Sequence, residues 1–295
     1  MRQPVLPMKV WLKVILIEAA AKEGNMERDK YIDEQIERHF QEFKKAYPER
    51  ELFAICLQGS QNYGLDIYTD EYKSDVDTKA IVVPSLEEIV LNKKPISTTH
   101  ILPNNEHLDI KDIRLYFENF KKQNINFLEI LFTDFAYVNA KYKEEWDYLI
   151  ANRELIAHYN INQALRCMAG MSMEKKKAMC HPYPTLLDKI EKYGYDGKQL
   201  HHIIRMNNFI FAYGEGKTFE KCLTYLPNKE DMMKAKLNQY TLEEALQLAE
   251  DFDNDTKSLK DKYLKPQDEI NKDALEVLNK IQHNTIKKRL REEVI

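Results

Sequence analysis

Glycine, tryptophan and cysteine are scarce in this sequence of 295 residues, which contains 8 glycines, 2 tryptophans and 4 cysteines. The cysteines are far apart and form no Cys-x-x-Cys pair, which excludes the usual zinc-ribbon spacing and does not favour a disulfide framework. We therefore expect reduced thiols in a cytoplasmic protein. Hydrophobic residues make up 43% of the chain and charged residues 31%, a balance that supports a packed core and argues against disorder.

Long hydrophobic runs are also missing. The apolar run from Met8 to Ala21 contains three charged residues and is too short to cross a bilayer. It has no convincing small-residue cleavage site, so we do not interpret it as a signal peptide, and we expect no membrane partner. A regular helical pattern starts only at Met26, and we expect residues 1–25 to form a peripheral extension.

A strong charge of one sign is absent as well, because the formal net charge is −4. This value argues against a protein coated in nucleic acid, although a local basic groove is compatible with it. Two basic runs, Lys175–Lys177 and Lys287–Arg289, are not interleaved with aromatic residues, which favours solvated helix ends over a nucleic-acid surface.

Mixed helix and strand patterns occupy the first half of the chain. An amphipathic helix is predicted from Met26 to Ala46, and a capping box of Ser85 and Glu88 begins a short helix. Residues 92–105 have the composition of a loop, and a further helix is predicted at Lys111–Gln123. Three strands are expected, at Glu51–Leu57, Val76–Val83 and Glu106–Ile110.

The second half of the chain has an almost entirely helical periodicity. Thr241 and Glu244 form a second capping box. The change of pattern predicts two domains, an α/β domain at 26–140 with a small mixed sheet and an all-helical domain at 141–295. Helices are expected at Glu144–His158, Ile161–Lys177, Tyr183–Tyr193, Lys198–Tyr213, Leu242–Tyr263 and Ala274–Leu290.

The chemically informative stretch begins where the first predicted strand ends. Gly59-Ser60 forms a glycine turn with a hydroxyl, and Asp75 and Asp77 follow as alternate residues of the second strand. Residues two apart on a strand point to the same face, and like charges held so close raise each other's pKa unless a cation neutralises them. The pattern predicts a divalent-metal site beside a turn that receives phosphates. The alternative is that both aspartates are solvated residues that cap the strand.

A third carboxylate is expected on the next strand. Asp109 is flanked by Leu108 and Ile110, as a buried-strand residue would be. Asp112, three residues later, fits better as an acid at a helix N-terminus, where the helix dipole favours it.

The helix predicted from Lys198 has one apolar face and one polar face. The polar face carries Lys198, His201, Arg205 and Asn208 at helical spacing. An unpaired cationic stripe of this kind can clamp a triphosphate, since arginine binds phosphate oxygens with two donors. The alternative is an ordinary solvated face.

The loop between the glycine turn and the aspartates is polar and aromatic. Gln61, Asn62 and Tyr63 at its start suit contacts with the sugar or base of a nucleotide. They suit turn chemistry around Gly64 equally well.

The order of these motifs resembles that of the DNA polymerase β-like nucleotidyltransferase superfamily. Within it, the chain is similar to the predicted nucleotidyltransferases of bacteria and phages, and the resemblance covers roughly residues 50–215. One departure is the fourteen residues from Gln61 to Ser74, slightly more than is usual between the two motifs. The residues that carry the resemblance are Gly59-Ser60, Tyr63-Gly64, Ser74-Asp75-Val76-Asp77, Leu128-Glu129-Ile130-Leu131, Lys198, His201 and Arg205.

The resemblance implies an α/β nucleotidyltransferase domain followed by a helical domain that closes over the nucleotide. It implies a metal-dependent enzyme that moves a nucleoside monophosphate from a nucleoside triphosphate, such as ATP, to an acceptor and releases pyrophosphate. The acceptor stays open among an RNA end, a protein hydroxyl and a small molecule.

The resemblance also implies roles for individual residues. Asp75 and Asp77 would bridge two Mg²⁺ or Mn²⁺ ions about 3.5–4 Å apart, since hard cations prefer carboxylate oxygens. Asp109 would complete one metal's shell beside the attacking hydroxyl and accept the proton of that hydroxyl, so all three aspartates are expected to be catalytic. Nucleotide binding is expected of Gly59, Ser60, Tyr63, Lys198, His201 and Arg205.

Two other classes of function are open. A catalytically silent protein of the same fold would sense a nucleotide or bind a partner, although three intact acids argue against it. A structural helical assembly protein would leave those acids without a role. An apolar stripe on the last helix (Leu275, Leu278 and Ile281) suits either packing within the chain or self-association.

Overall fold

A five-stranded mixed sheet forms the centre of the N-terminal region in the computed structural model, which describes residues 8–293 and the side chains of residues 25–292. Its strands are β1 (Glu51–Gln58), β2 (Asp77–Val83), β3 (Ser97–Ile101), β4 (His107–Asp112) and β5 (Ala136–Val138). They lie in the order β3-β4-β2-β1-β5, and β2 runs parallel to β4 while the other neighbours are antiparallel. The three predicted strands are present as β1, β2 and β4.

The prediction of a loop over residues 92–105 is wrong in part, because β3 lies within this range. β3 is at the edge of the sheet beside β4, and its residues alternate between exposed and half-buried. An edge strand of this kind has no buried apolar face, so the hydrophobic periodicity that identifies core strands is missing. Its two adjacent threonines, which are β-branched, are the signal that the sequence does contain.

Helices account for most of the remaining chain, so an α/β region is followed by a helical region, as predicted. Both predicted capping boxes are present, at Ser85 with Glu88 and at Thr241 with Glu244. Among residues 8–293 the α-helices are α1 (Met8–Ala46), α2 (Leu86–Val90), α3 (Ile113–Lys121), α4 (Ile125–Leu128), α5 (Lys143–Ala151), α6 (Arg153–Ala157), α7 (Ile161–Ala178), α8 (Leu187–Tyr193), α9 (Gly197–Gly214), α10 (Phe219–Leu223), α11 (Lys229–Lys236), α12 (Leu242–Tyr263) and α13 (Lys272–Glu293).

The helix bounds agree best where the helices are long. α12 coincides with its prediction, whereas the helix predicted at Glu144–His158 is divided into α5 and α6 at Asn152. The short helices α10 and α11 were not predicted, because one or two turns are too few for a helical period to stand out. Among the described residues, no helix combines the length and apolar character that crossing a membrane requires.

Helix α1 packs on one face of the sheet. It begins at Met8, upstream of the predicted start at Met26, and Ile32, Ile36 and Phe43 bury its apolar stripe. Residues 1–7 of the predicted extension lie outside the described residues, so the boundary at residue 25 stays a prediction.

The other face of the sheet shares its hydrophobic core with the helical region. Phe53 and Ile81 of the sheet belong to the same cluster as Leu278 and Ile281 of α13, and all four are at most 1% exposed. The stripe on the last helix therefore packs within the chain, which was one of the two predicted alternatives. The predicted domain boundary near residue 140 stays a prediction. The last strand ends close to it, at Val138, but the hydrophobic core includes residues from both sides of it.

A smaller core brings the helical region over the end of β1. Tyr63 and Leu65, from the loop after β1, pack with Ile203 and Ile204 of α9. This contact closes one side of a cleft at the place where the predicted site residues begin.

Candidate active site

A cleft of about 350 Å³ lies between the end of the sheet and helices α7, α8, α9 and α11. All but one of the predicted site residues line it. Asp109 is the exception. The predicted residues in the lining are Gly59, Ser60, Tyr63, Asp75, Asp77, Lys198, His201 and Arg205.

The glycine turn has a backbone conformation that requires glycine. Gly59 has φ +100° and ψ −157°, a region that L-residues rarely adopt. Its N–H donates to Oε1 of Glu129 at 3.0 Å, and a short 3-10 helix, Ser60–Tyr63, follows and is capped by Gly64, with φ +69°. Because the Gly59 N–H is already bonded, the groups of this turn that remain for phosphate contact come from Ser60 onward.

Two side-chain amides stabilise this turn. Nδ2 of Asn62 donates to the carbonyl of Leu57 at 3.0 Å, and Nε2 of Gln61 donates to the carbonyl of Asp75 at 2.6 Å. For Gln61 and Asn62 the structure therefore favours the turn-chemistry alternative over contact with a nucleotide. The Gln61 bond also connects the glycine turn directly to the first aspartate of the pair.

Asp75 and Asp77 line the same cleft, as their spacing predicts. Asp77 is the first residue of β2, while Asp75 precedes the strand, with the buried residue Val76 between them. The Asp77 carboxylate accepts the backbone N–H of His107 at 2.8 Å and lies 3.2 Å from its Nδ1. Asp75 is exposed toward solvent, which keeps its carboxylate open to a ligand.

Buried polar residues behind the sheet fix the strand that carries Asp77. Oε1 of Glu106 accepts the N–H of Val76 at 3.1 Å, and Nδ1 of His39 lies 2.7 Å from Oγ1 of Thr78. His39 and Glu106 are themselves 3.0 Å apart and are nearly inaccessible. The residues on both sides of Asp77 are therefore anchored by His39 of α1 and by Glu106, the residue that precedes β4.

Asp109 lies on the expected face of the sheet but is not part of the cleft lining. It faces Lys79 across the parallel pair β2–β4, and Lys79 follows Asp77 on the same face of β2. The Asp109 carboxylate is paired with Nζ of Lys79 at 3.3 Å and with Nζ of Lys111 at 2.6 Å. Asp112, as predicted, caps the N-terminus of α3 and accepts the N–H of Arg114 at 2.8 Å.

The carboxylates fit a divalent cation only in part. Mg²⁺ is commonly held by one or two carboxylates together with substrate phosphates, and Asp75 and Asp77 offer such a set. Asp109, neutralised by two lysines, does not fit as a third ligand where it lies. In agreement, no group of three or more His, Cys, Asp or Glu side chains within the described residues is arranged to hold a metal.

The prediction of an unpaired cationic stripe on α9 is wrong for two of its members, because Arg205 contacts Glu129 and Tyr63 and His201 contacts α11. Arg205 is 3% exposed, pairs with Oε2 of Glu129 at 3.1 Å, and lies 3.6 Å above the centre of the Tyr63 ring. His201 is 2% exposed and contacts the Met232 carbonyl, and its burial lowers its pKa to about 4. Lys198 remains exposed at the cleft.

Further lysines, which were not predicted as site residues, also line the cleft and make its lining basic. Lys175 belongs to the run predicted to be a solvated helix end, yet it lines the cleft. Burial lowers the pKa of Lys79 and of Lys236, and nearby carboxylates partly offset this effect. The lining thus combines three carboxylates (Asp75, Asp77 and Glu129) with six cationic side chains (Lys79, Lys175, Lys189, Lys198, Arg205 and Lys236).

Glu129 connects the two sides of the cleft and was not predicted as a site residue. It is 3% exposed and bonds both the Gly59 N–H and the Arg205 guanidinium. A single carboxylate inside the apolar run Leu128–Leu131 is a signal that sequence reasoning could have used, because a buried charge needs a partner.

The chain was compared with protein-family models and with curated proteins. A scan against models of protein families finds no match to this chain, and a search of curated proteins finds no significantly similar sequence. The motifs and the geometry of the cleft are therefore the observations that bear on function.

Proposed function

We propose that this chain is a metal-dependent nucleotidyltransferase that moves a nucleoside monophosphate from a nucleoside triphosphate to an acceptor. One observation carries the proposal. A glycine turn with a hydroxyl, a pair of carboxylates and a wall of cationic side chains meet in one cleft, within a chain whose net charge is negative. A triphosphate needs cations for its tail, whereas its α-phosphate needs carboxylates that hold a metal.

The proposed reaction is an in-line displacement at the α-phosphorus. The acceptor oxygen forms a bond to this phosphorus and loses its proton to a water molecule, while the bond from the phosphorus to the oxygen that bridges it to the β-phosphorus breaks. Pyrophosphate leaves with that electron pair. The cleft contributes the orientation of both reactants and stabilises the negative charge of the leaving group.

The residues divide this work between the two sides of the cleft. Asp75 and Asp77 would hold Mg²⁺ or Mn²⁺, which neutralises charge on the α-phosphate and lowers the pKa of the acceptor hydroxyl. The Ser60 hydroxyl and the lysines Lys198 and Lys236 would bind the β- and γ-phosphates. Arg205 positions the Tyr63 ring and the glycine turn, the latter through Glu129. The acceptor is an RNA end, a protein hydroxyl or a small molecule.

The test is label transfer from an α-labelled triphosphate into a cell lysate, together with pyrophosphate release. We expect both signals from the wild-type chain, and we expect Asp75→Asn and Asp77→Asn to remove them while thermal unfolding stays within a few degrees. Asp70→Asn is the matched control, since Asp70 is an exposed acid of the same loop that does not line the cleft. Full activity in either cleft variant would refute the assignment of these carboxylates.

The pairing of Asp109 with two lysines favours a second candidate, a protein that binds the nucleotide without turnover. The same assay separates the two functions. Calorimetry that shows nucleotide binding, combined with no pyrophosphate release for any triphosphate, metal or lysate, would select the silent protein.

A further inference from the structure

Lys79 is a buried lysine on the strand that begins at Asp77, and it pairs with Asp109, the carboxylate expected to complete one metal's shell. It lies two residues after Asp77 on β2 and directly opposite Asp109 on β4. It is 5% exposed, and it lines the cleft. Its ammonium group thus pairs with Asp109 across the sheet, while Asp77 lies two residues earlier on the same face of the strand.

The Asp109 carboxylate already has a full set of donors. Oδ2 accepts from Nζ of Lys79, while Oδ1 accepts from Nζ of Lys111 at 2.6 Å and from Oγ1 of Thr99 at 3.4 Å. Two ammonium groups on one carboxylate leave an excess of positive charge, so a divalent cation at Asp109 would be repelled. Among the described residues, by contrast, neither Asp75 nor Asp77 is paired with a lysine or an arginine.

The position of the Lys79 ammonium group is fixed by its surroundings. Its Nζ lies 4.6 Å from the centre of the Phe127 ring, and Nζ of Lys111 lies 5.6 Å from the same ring. A buried ammonium group must keep a charged partner, and Asp109 provides one. Movement of Asp109 toward a metal would leave Lys79 without that partner inside the cleft.

We propose that Lys79 supplies, as a fixed ammonium group, the positive charge that a second divalent cation supplies in a two-metal site. The cleft then binds one divalent cation, through Asp75 and Asp77, and Asp109 serves to position Lys79. This inference rests on the proposed function, because it concerns the cation that accompanies a bound nucleotide.

The test counts Mn²⁺ ions by electron paramagnetic resonance, with the full chain and a nucleoside triphosphate analogue whose α,β-bridge is methylene. We expect a single bound Mn²⁺ at saturation. Asp77→Asn should weaken its binding by about tenfold or more, whereas Asp109→Asn should leave one ion bound. Two Mn²⁺ ions in the wild-type chain, one of which is lost in Asp109→Asn, would overturn the inference.

Lys111 provides a matched control, because it pairs with the same carboxylate and contacts the same ring but does not line the cleft. We expect Lys79→Met to lower affinity for the analogue by about tenfold and to admit a second Mn²⁺. Lys111→Met should change that affinity by less than about twofold and retain one ion. Equal behaviour of the two variants would contradict the role of Lys79.

The outcomes also separate this inference from the proposed function. A wild-type chain that binds neither the analogue nor Mn²⁺ refutes both. A chain that binds the analogue with two Mn²⁺ ions refutes the one-cation site alone. If Lys79→Met does not fold, Lys79→Arg keeps the charge, and a second bound Mn²⁺ in that variant would equally refute the inference.

Discussion

The sheet side and the helix side of the cleft hold their functional groups by different means. On the sheet side, the two neighbours of Asp77 are anchored, because the Val76 N–H donates to Glu106 and the Thr78 hydroxyl is hydrogen-bonded to His39. On the helix side, Lys198 and Lys189 are long side chains on separate helices, with solvent access. The difference indicates that the sheet side supplies precise geometry, whereas the helix side supplies charge.

One buried ion pair joins the two sides. Glu129 receives the Gly59 N–H from the sheet side and the Arg205 guanidinium from the helix side, and both side chains are at most 4% exposed. A pair in this position couples the placement of the glycine turn to the packing of α9. It is the contact whose loss should have the largest effect on stability.

Removal of the Glu129 charge should therefore be the most damaging single change. Glu129→Gln leaves the buried Arg205 uncompensated, and we expect the free energy of unfolding to fall by about 3–5 kcal/mol. Urea denaturation followed by circular dichroism measures this change. Glu118→Gln, which breaks an exposed pair with Lys121, is the control and should cost less than about 1 kcal/mol. Similar losses of unfolding free energy in both variants would contradict the role of the buried pair in joining the two sides of the cleft.

A smaller effect is expected on the sheet side from Gly59→Ala, because a Cβ at this backbone conformation is strained. We expect a loss of about 1–3 kcal/mol in the free energy of unfolding, together with weaker nucleotide binding in calorimetry. Gly170→Ala is the matched control, since Gly170 lies inside α7 and has open space around its Cβ position. That change should stabilise the chain by about 0.4–1 kcal/mol. A neutral Gly59→Ala variant would mean that the turn does not need glycine.

The smallest effect should come from the helix side. Lys198→Ala removes one exposed charge and should lower triphosphate affinity by about two- to fivefold, with no change in stability. The difference from wild type should shrink as salt is added, because exposed charges are screened. Lys192→Ala, an exposed lysine of α8 that does not line the cleft, should have no effect on affinity. A loss of affinity that persists at high salt would contradict this screened, long-range role of Lys198 and indicate a direct contact with the triphosphate.

The sequence was sufficient to predict the parts of this site that depend on residues close to one another along the chain. A glycine turn after one strand and alternate aspartates at the start of the next meet in the cleft, because β1 and β2 are adjacent and antiparallel. Both capping boxes, which span four residues each, were predicted for the same reason.

The helix side could not be predicted in this way. Helical periodicity identifies a polar face, but it does not say which helix packs over that face. α11 was not predicted, and it contacts the buried His201 of α9. Arg205 is buried against Glu129 and Tyr63, which are distant from it in the sequence. Lys79, Lys175 and Lys236 come from three distant places in the chain, so only the tertiary structure brings them together.

The bond from Gln61 to the Asp75 carbonyl has a consequence for how the cleft responds to an occupant. It closes the fourteen-residue loop at its base, so it connects the glycine turn to the first of the two aspartates, while the rest of the loop lies outside this connection. We therefore expect that an occupant that displaces the glycine turn also moves Asp75. We also expect that the length of the loop can vary without disturbing the distance between Gly59 and Asp75.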